Sequence, residues 1–131
     1  MARVLIMEDD DSLRPVLRAA LERAGYEVAD AADGEAGLQL YREFGADLVL
    51  VDVFMPVRDG LEVIAALRGE SPHVKIVAMS GESRVGQADM LQVAAALGAA
   101  CTLRKPFQAR ELLRVIREVL GSCASDDVGG I

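Results

Sequence analysis

The chain has 131 residues and a formal net charge of −7, and 52% of its residues are apolar. That length fits one domain able to bury its own core without metal clips or disulfides, and the apolar fraction excludes a disordered chain. The acidic balance excludes a general binder of phosphate backbones, which needs a basic face whose Lys and Arg displace counterions.

No apolar stretch approaches the length of a membrane span, and Met1-Ala2-Arg3 leads into an expected strand without a signal-peptide pattern, so the sequence reads as cytoplasmic. Cys101 and Cys123 are too few and too far apart for a zinc clip or a redox pair, which fits a reducing compartment. Cys101 is expected in the core and Cys123 as an exposed tail thiol.

The first apolar run, Val4-Leu5-Ile6-Met7, predicts a strand that ends in Glu8-Asp9-Asp10-Asp11. Asp11 or Ser12 can cap the helix that follows, whose apolar positions Leu13, Val16, Leu17, Ala20, Leu21 and Ala24 keep helical spacing. Pro15 falls in the first turn, where amides lack intrahelical partners anyway. Gly25 stops this helix, and Tyr26 to Ala31 alternates apolar with polar, as a half-covered edge strand does. Asp33 caps a second helix with Ala36, Leu40, Tyr41 and Phe44 facing inward, before the buried run Leu48-Val49-Leu50-Val51 that ends at Asp52.

Asp59 caps a third helix carrying Leu61, Ile64, Ala65 and Leu67, and Lys75 to Ser80 predicts a fourth strand that ends in a hydroxyl. Gly81 to Gly86 is expected to be a loose, mobile loop. Gln87 to Leu97 is Ala-rich and helical, Gly98 ends it, and Cys101-Thr102-Leu103 makes a short fifth strand reaching Arg104-Lys105. Pro106 stops that strand. Leu112, Leu113, Ile116 and Leu120 line a last helix from about Gln108 to Leu120. The domain is expected over residues 1–121, with 122–131 as a polar, disordered tail too short to form a second domain. Five strands alternating with five helices predict an α/β fold with a five-stranded parallel sheet, right-handed crossovers and helices on both faces.

Open sheets of this kind place their chemistry just beyond the carboxyl ends of the strands. Glu8, Asp9 and Asp52 meet there, and each pair of carboxylates repels by about 4 kcal/mol at a separation of about 4 Å and an effective dielectric of about 20. A cation must therefore hold them together. Mg²⁺ prefers oxygen ligands and is usually held by one or two carboxylates plus a phosphate, so Asp9 and Asp52 suit direct ligation and Glu8 ligation through water. Without the ion, mutual repulsion raises one or more of the carboxylate pKa values. With it, Asp52 can accept a phosphoryl group as an acyl phosphate, while Lys105 neutralises the outer phosphoryl oxygens and Ser80 hydrogen-bonds one of them.

These residues, with Met55-Pro56 and Asp59-Gly60 after the acceptor and Lys105-Pro106-Phe107, closely resemble the receiver domain of bacterial two-component response regulators. The resemblance runs from about Ala2 to Leu120. It implies a flavodoxin-like strand order 2-1-3-4-5, phosphorylation of Asp52 by a sensor histidine kinase or a histidine phosphotransfer protein, and Mg²⁺ held by Asp9 and Asp52 with help from Glu8. It further implies the backbone carbonyl of Phe54 as a metal ligand, Ser80 as the switch hydroxyl, Lys105 as the phosphoryl contact and a cis Lys105-Pro106 bond. Such a domain is no enzyme toward outside substrates; it catalyses only its own phosphorylation and dephosphorylation, and its output is an unknown protein partner rather than nucleic acid or membrane.

Three features depart from that pattern. Thr102 stands where such domains usually carry an aromatic ring, the stretch from Ser80 to Lys105 is a few residues longer than usual, and Ala100 and Cys101 occupy positions that are often acidic in transcription-factor receivers. Thr102 therefore keeps a second reading open: a constitutive interaction module on the same fold with weak or no phosphorylation-dependent switching. A Mg²⁺-dependent phosphatase is disfavoured, because Phe54 stands two residues after Asp52, where a general acid would be needed. Asp10, Asp11 and Asp59 read as solvated or capping acids, His73 as an exposed loop residue, and Met55 and Met79 as core.

Overall fold

The computed structural model describes residues 2–55, 59–81 and 87–129. The elements are β1 (Arg3–Met7), α1 (Leu13–Arg23), β2 (Glu27–Ala31), α2 (Gly34–Phe44), β3 (Leu48–Asp52), α3 (Gly60–Glu70), β4 (Lys75–Ser80), α4 (Gln87–Leu97), β5 (Cys101–Arg104) and α5 (Ala109–Gly129). The strands form one parallel sheet in the order β2-β1-β3-β4-β5. This is the expected α/β class and flavodoxin-like order.

The continuous apolar runs follow from burial on both faces of the sheet. Side chains alternate along a strand, so Leu5, Met7, Val49, Val51, Ile76 and Ala78 enter one core, together with Leu38 of α2 and Val63, Ile64 and Leu67 of α3. Val4, Ile6, Leu48, Leu50, Val77 and Met79 enter the other, with Leu17 and Leu21 of α1 and Leu112, Val115 and Ile116 of α5. At about 1.5–3 kcal/mol for each fully buried large side chain, these two layers hold the strand ends in fixed register. Val4 of β1 faces both Val28 and Leu48, and Leu50 of β3 faces both Ile6 and Val77. Met55 and Met79 are core, Cys101 packs at the margin of the second core, and His73 is exposed.

Several local expectations change. Neither Asp11 nor Ser12 caps α1: Ser12 has a helical backbone (φ −91, ψ −31) and makes no side-chain cap. Asp10 accepts instead, with Oδ1 taking hydrogen bonds from the Ser12 amide (2.9 Å), the Ser12 hydroxyl (2.7 Å) and the Leu13 amide (3.2 Å). Asp33 and Asp59 cap as expected, accepting from Ala36 N and Glu62 N. Ala36 is exposed and Leu38 buried, because α2 meets the sheet at Gly37, where an added Cβ would collide with Met7. Tyr26 lies outside β2, its amide tied back to the Leu21 carbonyl after Gly25 turns the chain at φ +100.

The last helix does not end at Leu120. It runs to Gly129, so residues 122–129, expected as a disordered tail, continue α5. Once a helix is nucleated each added residue gains a hydrogen bond, and nothing between Gly121 and Gly129 removes a backbone donor as proline would. The expected loop over 82–86 and Pro56 of the Met55-Pro56 pair lie outside the described residues.

Candidate functional site

Among the described residues, the buried polar or charged side chains are Glu8, Asp52 and Ser80. All three stand at the carboxyl end of the sheet. Glu8 follows β1, with its amide extending the pairing to the Ala31 carbonyl at 3.1 Å and its Oε2 accepting from the Asp10 amide at 3.2 Å. Asp52 closes β3, and its Oδ1 accepts from the Phe54 amide at 2.9 Å. Ser80 closes β4, and its buried Oγ has no hydrogen-bond partner.

Lys105 enters from the end of β5. Its amide donates to the Ser80 carbonyl at 2.7 Å, and the peptide bond to Pro106 is cis, as expected. Its ammonium donates to Glu8 Oε1 at 2.6 Å and to Asp52 Oδ2 at 3.0 Å. One lysine thus ties two strand ends together across the sheet. Asp9 stands exposed beside them, and Glu8, Asp9 and Asp52 each offer an oxygen within 4.8 Å of the others. Beside the cluster lies a groove of about 410 Å³ that touches it at Lys105 and is otherwise lined by Asp10, Ser12, Leu13, Val16, Pro106 and Phe107.

Gly60 sets how closely α3 approaches Asp52. Its amide donates to the Val53 carbonyl at 3.0 Å, and an added Cβ would collide with the Asp52 carbonyl oxygen and lie 2.5 Å from Val53 Cα. The glycine of Asp59-Gly60 is thus a packing requirement of the carboxyl end of β3.

Electrostatics set this cluster apart from a simple brace. Three carboxylates against one ammonium leave two negative charges uncompensated when all are ionised. Burial pushes the Glu8 carboxyl above its usual range and the neighbouring Asp52 adds to the rise, against the opposing pull of Lys105. Asp9 is also raised, by partial burial and by Glu8. Burial acts to lower Lys105, yet the hydrogen bond to Glu8 and the charge of Asp52 outweigh it and hold the ammonium above its ordinary value. The donor set is all oxygen and short of two positive charges, which fits a hard divalent cation that keeps part of its water shell.

The structure brings Glu8, Asp9, Asp52, Ser80 and Lys105 to one strand-end face, with Phe54 two residues past the end of β3 and its side chain exposed. One neighbour of the cluster is not singled out by the sequence reading: Arg14 donates from Nη1 to the Glu8 carbonyl at 2.8 Å. A backbone acceptor leaves no trace in residue identity. Its single hint is a basic residue in the first turn of a helix that starts beside the acidic run.

The model of the family described as response regulator receiver domain matches residues 4–117. Sensory transduction protein RegX3 of Mycolicibacterium smegmatis is 35% identical over 130 residues, covering 99% of this chain and 55% of RegX3. Chemotaxis protein CheY of Halobacterium salinarum is 32% identical over 119 residues, covering 90% of this chain and 96% of CheY. The crystallised chemotaxis protein CheY4 of Vibrio cholerae superposes with a TM-score of 0.82 at 35% identity, over 91% of this chain and 98% of CheY4. The chain spans about half the length of curated relatives such as RegX3. With a family match over nearly the whole folded sheet and a strand order shared with CheY-like structures, the chain belongs to the response regulator receiver domains of two-component systems.

Proposed function

We propose that residues 1–121 form a Mg²⁺-dependent phosphoacceptor domain in which Asp52 takes a phosphoryl group from the phosphohistidine of a sensor kinase or phosphotransfer protein. The observation that carries this reading is the buried Asp52 carboxylate, held 3.0 Å from the Lys105 ammonium within a cluster two positive charges short of neutrality. Asp9, Asp52 and the Phe54 carbonyl would hold Mg²⁺, with Glu8 assisting. Bound there, the ion would supply charge neutralisation for the incoming phosphoryl oxygens.

The chain's own groups do the rest. One Asp52 oxygen attacks phosphorus while the bond to the donor's imidazole nitrogen breaks, and the backbone amide of Phe54 keeps the carboxylate aimed. Lys105, already poised on Asp52 Oδ2, can follow the charge onto a phosphoryl oxygen. The Ser80 hydroxyl, buried and unpartnered, is a donor free to satisfy another. The product carries about 1.5–2 additional negative charges, which biases a surface built from β4 and β5. On this reading the protein works in the cytoplasm and meets its kinase and its output protein there; among the described residues no helix is long and apolar enough to cross a membrane.

The experiment is incubation with a small acyl phosphate and Mg²⁺, followed by intact-mass measurement. One added phosphoryl group is expected in the wild type and none in Asp52→Asn or in chelator. An equal adduct in Asp52→Asn would overturn the assignment.

Thr102 favours a second reading. It stands partly buried in β5, with no ring at that position to move inward when the Ser80 hydroxyl is engaged. A constitutive interaction module would then bind its partner with the same affinity whether or not Asp52 is phosphorylated, and a switch would not.

A further inference from the structure

The geometry points to Arg14 as a positioning residue that fixes the Glu8-Asp9 peptide and thereby aims the Asp9 carboxylate at the cation site; this rests on the Mg²⁺ reading above. Arg14 lies in the first turn of α1 with only 18% of its side chain exposed. Its Nη1 donates to the Glu8 carbonyl at 2.8 Å, its Nη2 donates to Asp11 at 2.6 Å, and its Nε lies 3.5 Å from Asp30 Oδ1 in β2. Asp30 is in turn gripped by Arg18, whose Nη1 donates to Oδ2 at 2.7 Å and whose Nε donates to Glu22 at 3.0 Å. The guanidinium is therefore anchored to the sheet edge on one side and holds the site's backbone on the other.

The Glu8 peptide needs such a hold, because Glu8 is the last residue paired across the sheet. Its amide still reaches the Ala31 carbonyl, but its own carbonyl, which belongs to the peptide joining it to Asp9, lies past the end of β1. A charge-assisted hydrogen bond from a rigid planar donor fixes the plane from which Asp9 departs. Asp11 and Asp30 occupy the charge of Arg14 with acids outside the cluster. Arg14 therefore orients the acidic pair without competing with a divalent ion for it. Groups that orient metal ligands are commonly worth a factor of about 10–100 in metal affinity.

Three variants test this. Arg14→Met keeps the stem and deletes the donors, Arg14→Lys keeps the charge without a fork able to span Glu8 and Asp30, and Asp30→Asn loosens the anchor alone. Mg²⁺ affinity by calorimetry is expected to fall by about tenfold in Arg14→Met and by less in Asp30→Asn, with no further loss when the two are combined. Phosphorylation by a small acyl phosphate at saturating Mg²⁺ is expected to stay close to the wild-type rate, and the Asp9 amide resonance to move in the metal-free variant. Should Arg14→Met not fold, Arg14→Lys and Asp30→Asn carry the same expectations with smaller losses. Unchanged Mg²⁺ affinity in folded variants, with a lower melting temperature or without one, would make Arg14 a plain structural brace and overturn the inference. Equal falls in affinity and in saturated rate, or additive losses in the double variant, would overturn it as well. A wild type that binds no Mg²⁺ would instead remove the functional reading on which it stands.

Discussion

Ion pairs sit at both ends of the sheet, made from the same kinds of residue, and their surroundings give them opposite meanings. At the amino end Arg3 Nε meets Glu27 at 3.2 Å with about half of each side chain exposed (47% and 49%), while the Arg3 amide is taken by Asp47. At the carboxyl end Lys105 meets Glu8 at 2.6 Å with 17% and 1% exposed, and meets Asp52 at 3.0 Å. Water screens the first group, and such pairs are worth about 0–1 kcal/mol. The second has lost most of its water, so each charge depends on the others, and breaking a buried group of this kind costs about 3–5 kcal/mol because it strands an unpaired charge. Closed pairing at one end is a fastening. Incomplete pairing at the other leaves two negative charges that a divalent cation could balance.

Removing the ammonium should separate the two ends most sharply. Lys105→Met is expected to destabilise the metal-free protein by about 3–5 kcal/mol in urea unfolding at neutral pH, and saturating Mg²⁺ is expected to return part of that loss. A cost below about 1 kcal/mol would place the carboxyl end in the same class as the amino end. Gly60→Ala should come next, at about 1–3 kcal/mol of overpacking read by thermal unfolding, because the new methyl must push α3 away from Asp52 and Val53. The phosphorylation rate should fall with it.

Acidity gives a smaller and continuous test. Glu8 and Asp9 are raised in the folded protein above their usual values of 4.5 and 3.8, so the folded metal-free state holds their protons more tightly than the unfolded chain does. Their contribution to stability is therefore full below those values and is lost as pH rises through the folded ones. Lys105 is raised above 10.5, so its contribution persists to that pH and is lost only as pH climbs through its folded value. Mg²⁺ competes with the carboxyl protons. Calorimetry should show Mg²⁺ affinity falling as pH is lowered toward the acid range, beginning above 4.5, with protons released on binding. A flat profile through that range would contradict the raised carboxyls. The smallest effect belongs to the amino end: Glu27→Gln should change stability by no more than about 1 kcal/mol and leave Mg²⁺ affinity untouched.

The same contrast explains what could be read from the residues alone. An unbroken apolar run that stops at an acid, as at Met7-Glu8 and Val51-Asp52, announces both a strand buried on two faces and a charge at its end, because no other position in such a run tolerates one. Lys105 was legible through Pro106, which marks where the fifth strand must stop. What escaped depends on backbone geometry. Asp10, Asp11 and Ser12 are all good capping types, and Asp10 takes the role because Ser12 already has a helical conformation. Leu38 replaces Ala36 on the buried face of α2 because the helix touches the sheet at Gly37. The reach of α5 past Gly121 escaped because a polar composition does not forbid helix, and Arg14 escaped because its acceptor is a main-chain oxygen.

The most direct test of the uncompensated carboxyl end is the stability of the unmodified protein with and without Mg²⁺. Because binding to the folded state alone stabilises it in proportion to the logarithm of ligand excess, unfolding free energy should rise by about 2.7 kcal/mol when Mg²⁺ reaches about 100 times its dissociation constant. The rise should shrink sharply in Asp52→Asn. Identical unfolding curves in chelator and in millimolar Mg²⁺ would show that the clustered acids need no ion, and would contradict the account.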